Sequence, residues 1–388
     1  MDHSCLCSAR ARSVAIALGI VGAGAFLVGL ATAPARAWAG LLVGNYFVLS
    51  MVMGAALFVA LNQVFGSGWA SMLKRVPEAM TAYLPIGGGI LLLTFLIGGP
   101  SLYPWMRPEV VAQNPHLQHK QALLNPTAYI IATLVAFGLW IGYARLMRAR
   151  STAQDRDGDI RHTYASRRLS AGFLVLSGLA VVAVSFLWLM SLEPLWTSTM
   201  YPGYVYASML AAAAAGMALL VLQLGQKGIL PGVSETHVYE LGRLVAATCT
   251  LWVYIWFSEY MLIYYTNIPE EAIHFAVRRT GPFAILFILN IVLNWVGPML
   301  MFLTERSRHS ADMLRRVCIM VLIGRLLDAA LLILPAIETP IRLTYVDVLT
   351  PLLFVPIFMS AFWNAFRRSN PVGEHDPYLV EGRGLAVH

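Results

Sequence analysis

Charged side chains inside long apolar stretches are the residues of this chain best suited to chemistry. Arg325 and Asp328 stand three residues apart in the stretch 315–336, so their side chains meet on one face of a helix. Glu259 lies in another apolar stretch, seven residues before Thr266. A carboxyl group removed from water has a raised pKa and can exchange protons near neutral pH. These residues predict a ligand-binding or proton-relay role. The alternatives are a charge-neutralising structural pair for Arg325 and Asp328 and a satisfied interhelical hydrogen bond for Glu259.

Two more carboxylates lie at the ends of apolar stretches. Glu193 follows the stretch 169–190, and Asp347 lies near the start of the stretch 344–365. Polar groups are common at the ends of membrane spans, so an interfacial role is the alternative for each. Together with Glu259 they fall in the same half of the predicted membrane, which predicts a site for an apolar ligand with titratable head groups.

A second set of polar residues lies nearer the other membrane surface. Asn290 and Asn294 are four residues apart, and Glu78 precedes another apolar stretch. Such residues usually form hydrogen bonds between helices. The alternative is an inner polar path that carries protons toward Arg325 and Asp328.

The composition places these residues in a membrane protein. Of the 388 residues, 58% are hydrophobic and only 12% are charged, and the mean hydropathy is +0.67. An average soluble protein is about 25% charged, so a soluble globular fold is excluded, as are disordered, collagen-like and disulfide-rich chains. The net charge of +7 is interpreted as a topology signal, and no nucleic-acid partner is expected.

Ten apolar stretches are long enough to cross a bilayer, which requires roughly 20 residues of helix. A helix satisfies its own backbone hydrogen bonds in lipid, so the sequence predicts an all-α integral membrane protein. The stretches, called spans 1 to 10, are 14–33, 41–65, 79–98, 127–147, 169–190, 203–224, 241–266, 282–303, 315–336 and 344–365.

The distribution of Lys and Arg predicts the orientation. The two termini and every second connection carry 20 of the 27 basic residues, the other five connections carry 6, and Arg325 lies within span 9. By the positive-inside rule, both termini are expected in the cytoplasm. Residues 31–37 resemble a signal-peptide cleavage site, but the apolar run before them exceeds the usual length of about 7 to 15 residues. A retained span 1 is therefore favoured over a cleaved one.

The connection between spans 3 and 4, residues 99–126, is long enough for a docking loop or a lid. It contains His116, His119 and Lys120. Because no third ligand accompanies the two histidines, an interfacial or solvated role is favoured over metal binding.

The connection 148–168 is rich in arginine and also contains Asp155, Asp157 and Asp159. This spacing resembles half of a calcium loop, but the distal glutamate is missing from the sequence. The connection is expected to be solvated and to set the topology.

No cofactor is expected to be held covalently by this chain. All nine histidines lie in predicted connections or tails, which argues against a bis-histidine haem among the spans. Cys5, Cys7, Cys249 and Cys318 form no C-x-x-C pair, so neither an iron–sulfur cluster nor a disulfide is expected. There is no Walker A or dinucleotide motif. An electron carrier must be a ligand or belong to a partner.

Six sequence segments resemble those of a known type of membrane subunit. The most specific are MSLEPLWTST at 190–199, WVYIWFSEYMLIYY at 252–265 and NIPEE at 267–271; the others are WASMLKRVPEA at 69–79, KQALLNP at 120–126 and STAQDRDGD at 151–159. Together they resemble NrfD/polysulfide reductase C-type subunits, and within that type the ActF subunits of bacterial alternative complex III.

This resemblance implies one polytopic domain, residues 1–388, in the bacterial inner membrane. Spans 2–5 and 6–9 would form two four-helix bundles, with spans 1 and 10 peripheral. With the spans located above, the boundaries are 41–168 for spans 2–4 with the inner loop, 169–190 for span 5, 203–336 for spans 6–9, 344–365 for span 10 and 366–388 for a cytoplasmic tail.

The resemblance also implies a respiratory function. Complexes of this type oxidise a membrane quinol, menaquinol or ubiquinol, and pass electrons through an iron–sulfur, molybdopterin-like subunit and c-type cytochromes toward cytochrome c or a terminal oxidase. The quinol site proper is attributed to a paralogous NrfD-like membrane subunit. The role implied here is scaffolding and proton conduction without catalytic residues of its own, and quinone contact stays open. Glu193, Glu259 and Glu271 lie within the matching motifs, so the resemblance implies functional roles for them. Arg325 and Asp328 match no family motif.

Two other classes of protein also fit ten spans with buried charges. A secondary transporter often has inverted repeats and broken helices; Pro85 and Pro298 mark candidate breaks, but no sequence repeat is evident. An autonomous membrane enzyme would need metal ligands or a nucleophile with a base, and the spans supply neither. A respiratory membrane subunit is favoured first, a transporter second and an enzyme third.

Overall fold

The computed structural model describes residues 9–230, 232–337 and 343–384. Within them, ten helices are long and apolar enough to cross a membrane, and no strand occurs. The predicted all-α membrane architecture is confirmed. The spans are Arg12–Thr32, Pro34–Phe65, Arg75–Leu102, Pro126–Asp157, Arg161–Leu192, Tyr201–Gln226, Glu235–Thr266, Phe283–Met301, Ala311–Ala336 and Tyr345–Phe366. Ten helices that each cross a membrane place the first and last described residues on one side, called the terminal face; the other side is the opposite face.

Several helices are longer than the apolar stretches that predicted them. Spans 4 and 5 continue well past the apolar core, so the expected connection 148–168 shrinks to residues 158–160. Gly158 adopts a left-handed conformation (φ 68°) that ends span 4. Asp155 lies in the last turns of that helix and contacts Arg75; it was expected in a solvated loop. Polar residues extend these helices because the water-exposed helix ends tolerate them.

Spans 2 and 6 form the centre of the molecule. Both are buried along almost their whole length, and they pack along each other. Gly54 of span 2 makes this crossing close, because a side chain there would collide with the backbone carbonyl of Met209. Span 2 also contacts spans 3, 5 and 9, and span 6 contacts spans 7 and 9. The groups 2–5 and 6–9 implied by the resemblance therefore share one continuous core.

Five of the described spans contain irregular turns, and the one in span 9 is the 3₁₀ turn Leu334–Ala336. Span 3 has a 3₁₀ turn at Thr81–Tyr83, just before Pro85, and span 10 has one at Thr350–Leu353. Spans 5 and 8 each contain a π turn, at Ser185–Leu189 and Val292–Val296. Helical π turns often occur at functional sites, and the one in span 8 lies directly before Pro298 and contains Asn294.

The C-terminal tail is fastened to the terminal face. Lys74 forms an ion pair with Asp376 at 3.1 Å, and Arg167 donates a hydrogen bond to the Tyr378 hydroxyl at 2.9 Å. The short helix Leu379–Gly384 packs against Gly68–Ser71. The tail thus covers the connection between spans 2 and 3. Cys5 and Cys7 lie outside the described residues; Cys249 and Cys318 are buried and unbonded.

Candidate functional site

Arg325 and Asp328 form an ion pair halfway along span 9. Arg325 Nη2 lies 3.4 Å from Asp328 Oδ2, and both side chains are almost completely buried. They meet because residues three apart face the same side of a helix, as the sequence predicted. Charged groups at this depth are stable only when neighbouring helices supply hydrogen bonds.

Spans 6 and 8 supply those hydrogen bonds. Asp328 Oδ1 accepts from the Tyr204 hydroxyl and from Asn290 Nδ2 at 2.9 Å. Ser208 donates to Asp328 Oδ2 at 3.3 Å and accepts from Arg325 Nη1 at 3.2 Å. We call these residues, with Asn294, the central cluster.

Asn294 and Trp252 hold the guanidinium group of Arg325. Asn294 Oδ1 accepts from Arg325 Nε at 2.7 Å, while its amide nitrogen donates to Asn290 Oδ1 at 2.7 Å. The guanidinium carbon lies 4.1 Å from the Trp252 ring centroid, a cation–π distance. A side chain at Gly324 would collide with the Asn294 amide. The absence of a side chain at Gly324 therefore allows this close approach of spans 8 and 9.

Glu259 of span 7 lies beside the central cluster. Its side chain is buried, and its Oε1 accepts no hydrogen bond from the described residues. A small cavity of about 20 Å³ is lined by Glu259, Tyr204, Asn290 and Asp328, and this volume is sufficient for about one water molecule. We call it the central cavity. Glu259 and Asp328 therefore border the same polar space, a relationship that sequence spacing did not predict.

A third buried group, the Glu193 cluster, lies toward the opposite face and consists of Glu193, His274 and Arg278. Glu193 accepts from Arg278 Nη2 at 2.5 Å and from His274 Nδ1 at 2.8 Å. Arg278 also donates to the carbonyls of Leu331 and Leu332 near the end of span 9. Because His274 and Arg278 line the central cavity, this cluster connects Glu193 to Glu259.

The environment sets the charge states in the Glu193 cluster. Burial opposes the ionisation of Glu193, but Arg278 and His274 outweigh it and hold the pKa of that carboxyl well below its usual range. Burial, reinforced by Arg278, lowers the pKa of His274 to about 4, against the opposing effect of Glu193. At neutral pH the pair is a carboxylate and a neutral imidazole. Nδ1 of His274 carries the proton, since a carboxylate can only accept.

A larger groove of about 620 Å³ opens near the opposite face; we call it the lateral groove. Phe186, Met190, Leu262 and Ile263 contribute apolar walls from spans 5 and 7. Its polar lining includes Lys120, Ser198 and Glu271. The Ser198 hydroxyl interacts with the carboxyl group of Glu259. The groove therefore communicates with the central cavity through one hydroxyl group and one carboxyl group.

Asp347 lies apart from these clusters. Its Oδ2 pairs with Arg36 Nη1 at 2.7 Å and accepts hydrogen bonds from the backbone and hydroxyl of Thr344. These contacts join the beginning of span 2 to the beginning of span 10. The structure thus brings Glu193 and Glu259 together but places Asp347 in a separate ion pair.

Glu78 is also separate from the central cluster. It lies at the terminal face, 3.4 Å from Arg75, and Arg75 in turn contacts Asp155. Among the described residues, no hydrogen bond or ion pair links Glu78 to Asn290 or Asn294. The two asparagines belong to the central cluster, so the expected inner path is not continuous in side-chain contacts.

The docking-loop residues divide into two kinds. His116 and His119 are exposed on the short helix Pro115–Lys120 of the connection between spans 3 and 4. Lys120 instead donates to the carbonyl of Pro194 at 2.7 Å at the edge of the lateral groove. No group of three or more metal-ligating side chains occurs in the part of the chain that the structure describes.

Comparison with known proteins does not identify the site. No protein-family model matches the chain, and no curated protein matches it significantly. The resemblance to NrfD-like subunits therefore stays a prediction based on short motifs, and the site must be interpreted from its own chemistry.

Tyr204, Ser208, His274 and Arg278 are among the contributors to the site that sequence reasoning missed. Tyr204 and Ser208 are four residues apart on an otherwise apolar span, a signal of a polar helix face that the sequence does contain. His274 and Arg278 share the same spacing in a connection, but their partner Glu193 is 81 and 85 residues away. No local pattern marks that pairing.

Proposed function

We propose that this chain is an integral membrane subunit of a respiratory quinol:electron-acceptor oxidoreductase of the alternative complex III type. It would lie in a bacterial inner membrane with both termini in the cytoplasm, where it scaffolds partner subunits, conducts protons and contacts quinone. One observation carries the proposal. Glu259, a buried carboxyl group with an oxygen that lacks a hydrogen bond, shares the central cavity with the ion-paired Asp328.

The proposed proton route follows the contacts around that cavity. Asp328 accepts hydrogen bonds from Tyr204 and Asn290, and one water in the central cavity would bridge this group to Glu259. Glu259 meets Ser198 on the side of the lateral groove. The hydroxyl and carboxyl groups along this route can each accept one proton and release another.

The lateral groove supports quinone contact. Ligand pockets of about 300–1,000 Å³ with mostly apolar walls and a few polar groups hold small organic molecules, and this groove fits that description. Oxidation of a quinol releases two electrons and two protons. Glu259, through Ser198, would take up one proton at a time, while the electrons pass to a redox centre of a partner subunit. Menaquinol and ubiquinol both fit this chemistry.

The partners of this subunit are part of the proposal. They would be a paralogous NrfD-like membrane subunit, an iron–sulfur, molybdopterin-like subunit, c-type cytochrome subunits and a terminal oxidase as electron acceptor. The exposed histidines His116 and His119 of the connection between spans 3 and 4 offer a docking surface.

The test is Glu259→Gln in the purified native complex, with Glu240→Gln on the terminal-face end of the same helix as control. Glutamine keeps the size of the side chain but cannot relay a proton. Because a positioned acid or base contributes about 10²-fold or more, we expect quinol oxidation to fall at least tenfold, with subunit composition and haem content unchanged. Turnover equal to that of Glu240→Gln would refute the proton role of Glu259.

A further inference from the structure

A second large cavity, of about 290 Å³, lies at the terminal face between spans 3, 4 and 10. We call it the basic cavity. Apolar residues of the membrane-spanning segments form its walls: Ala82, Pro85, Ile141, Ala144 and Ala365. Its polar lining consists of Glu78, Thr81, Arg145, Arg148 and Arg368. The proposed proton route on the opposite side of the central cluster uses none of these residues.

The lining of the basic cavity has a surplus of positive charge. Its only carboxyl group, that of Glu78, is already paired with Arg75 at 3.4 Å. Arg148 donates to the carbonyl of Ala365 and, at 3.0 Å, to Ser369, which fixes its guanidinium group. Arg145 and Arg368 are exposed, and neither forms an ion pair with another described residue. An anion at the mouth would meet three guanidinium groups.

The floor of the basic cavity requires a hydrogen-bond donor, whereas its mouth favours an anion. Oε1 of Glu78 is buried and accepts no hydrogen bond from the described residues. Thr81 cannot supply one, because its hydroxyl donates to the backbone carbonyl of Glu78 at 2.7 Å. A buried acceptor without a donor is unfavourable. The floor therefore favours an occupant that carries a hydroxyl donor.

We propose that the basic cavity binds an anionic phospholipid whose headgroup carries a free hydroxyl, such as phosphatidylglycerol. The phosphodiester faces Arg145, Arg148 and Arg368, and a headgroup hydroxyl donates to Glu78. Basic pockets between membrane helices commonly bind anionic headgroups. The apolar walls favour a lipid over a soluble phosphate, because they come from spans 3, 4 and 10 and continue into the bilayer.

The test is lipid binding by the full-length, delipidated protein in detergent, followed by thermal unfolding and native mass spectrometry. The probes are phosphatidylglycerol, zwitterionic phosphatidylcholine, phosphatidylethanol, which is anionic but lacks a headgroup hydroxyl, and water-soluble glycerol 3-phosphate. We expect phosphatidylglycerol to raise Tm the most and to be retained in the mass spectrum. Phosphatidylethanol should raise Tm less, and the other two should leave it unchanged.

Paired variants locate the site. Arg145→Gln with Arg368→Gln should weaken phosphatidylglycerol binding at least tenfold. Arg306→Gln with Arg316→Gln removes the same charge from exposed positions of the terminal face outside the cavity and should leave binding unchanged. Equal effects of phosphatidylglycerol and phosphatidylcholine would overturn the proposal, as would equal losses in both pairs of variants. A Tm rise with glycerol 3-phosphate alone would instead indicate a site for a free anion.

Discussion

Arg325 and Asp328 lie one helical turn apart, yet they share their hydrogen-bond partner Ser208 on another span. The pair therefore belongs to the contact between spans 6 and 9 rather than to span 9 alone. Asp328 also receives hydrogen bonds from Tyr204 and Asn290. Changes at this pair should affect both the packing of the helices and any proton passing along the cluster.

We expect Asp328→Asn to lower stability and to abolish proton-coupled quinol oxidation. Removal of the carboxylate leaves the buried Arg325 without its counter-charge, which costs about 3 kcal/mol or more. Thermal unfolding and quinol oxidation measure the two effects, with Asp312→Asn on the exposed end of the same helix as control. The double variant Arg325→Gln with Asp328→Asn should regain stability but not turnover. Recovery of turnover would assign the pair a structural role only.

We expect Gly324→Ala to disturb the central cluster without changing any charge. The added methyl group meets the Asn294 amide, which must move away from Arg325, at a cost of about 1 to 3 kcal/mol. The control is Gly172→Ala in span 5, where a side chain meets nothing within 4 Å. Thermal unfolding should separate the two variants by several degrees. Equal Tm values would show that spans 8 and 9 are not packed as described.

The stability of the protein should fall in acid because of His274. Its pKa of about 4 in the folded protein lies below the ordinary value of 6.5, so the unfolded chain binds more protons between these values. The contribution of His274 to stability is complete above pH 6.5 and is lost as the pH falls toward 4. Because the pKa of Glu193 is also lowered in the folded protein, its contribution is lost in turn below about pH 4.5. Between pH 6.5 and about pH 5 the loss from His274 is about 2 kcal/mol.

His274→Gln keeps a hydrogen-bond donor for Glu193 but removes the titrating group. Its Tm should therefore change less between pH 6.5 and pH 5 than the Tm of the unchanged protein. His119→Gln, at an exposed position, should keep the original pH dependence. If both variants follow the same curve as the unchanged protein, His274 does not titrate as described.

Asp347 should prove structural. We expect Asp347→Asn to lower the free energy of unfolding by about 1 to 3 kcal/mol, because the buried carboxylate that accepts hydrogen bonds from Arg36 and Thr344 is lost, while each intact complex keeps its rate of quinol oxidation. Thermal unfolding and turnover per haem give the two readings. If Asp347→Asn lost turnover but kept its stability, Asp347 would take part in proton transfer and this prediction would be wrong.

The sequence was sufficient for the parts of this structure that depend on one helix at a time. Hydropathy located all ten spans, and helical spacing paired Arg325 with Asp328. The predicted spans were shorter than the observed helices where polar residues extend a helix beyond its apolar stretch, as in span 4. Most contacts between helices could not be predicted from the sequence. The spacing of residues along one helix shows which of them share a face, but it does not show which neighbouring helix that face contacts. The pairing of Glu193 with Arg278 and the separation of Asp347 from Glu259 are both of this kind.

The most direct test of the proposed function is the composition of the complex that this chain forms. The tagged protein would be purified from its native membrane in mild detergent, then stained for haem and analysed by mass spectrometry. The proposal predicts co-purification with an iron–sulfur subunit, a second ten-span membrane subunit and c-type cytochromes. A chain that purifies alone and without haem would contradict it, and transport assays would then test the alternative of a secondary transporter with a buried charged site.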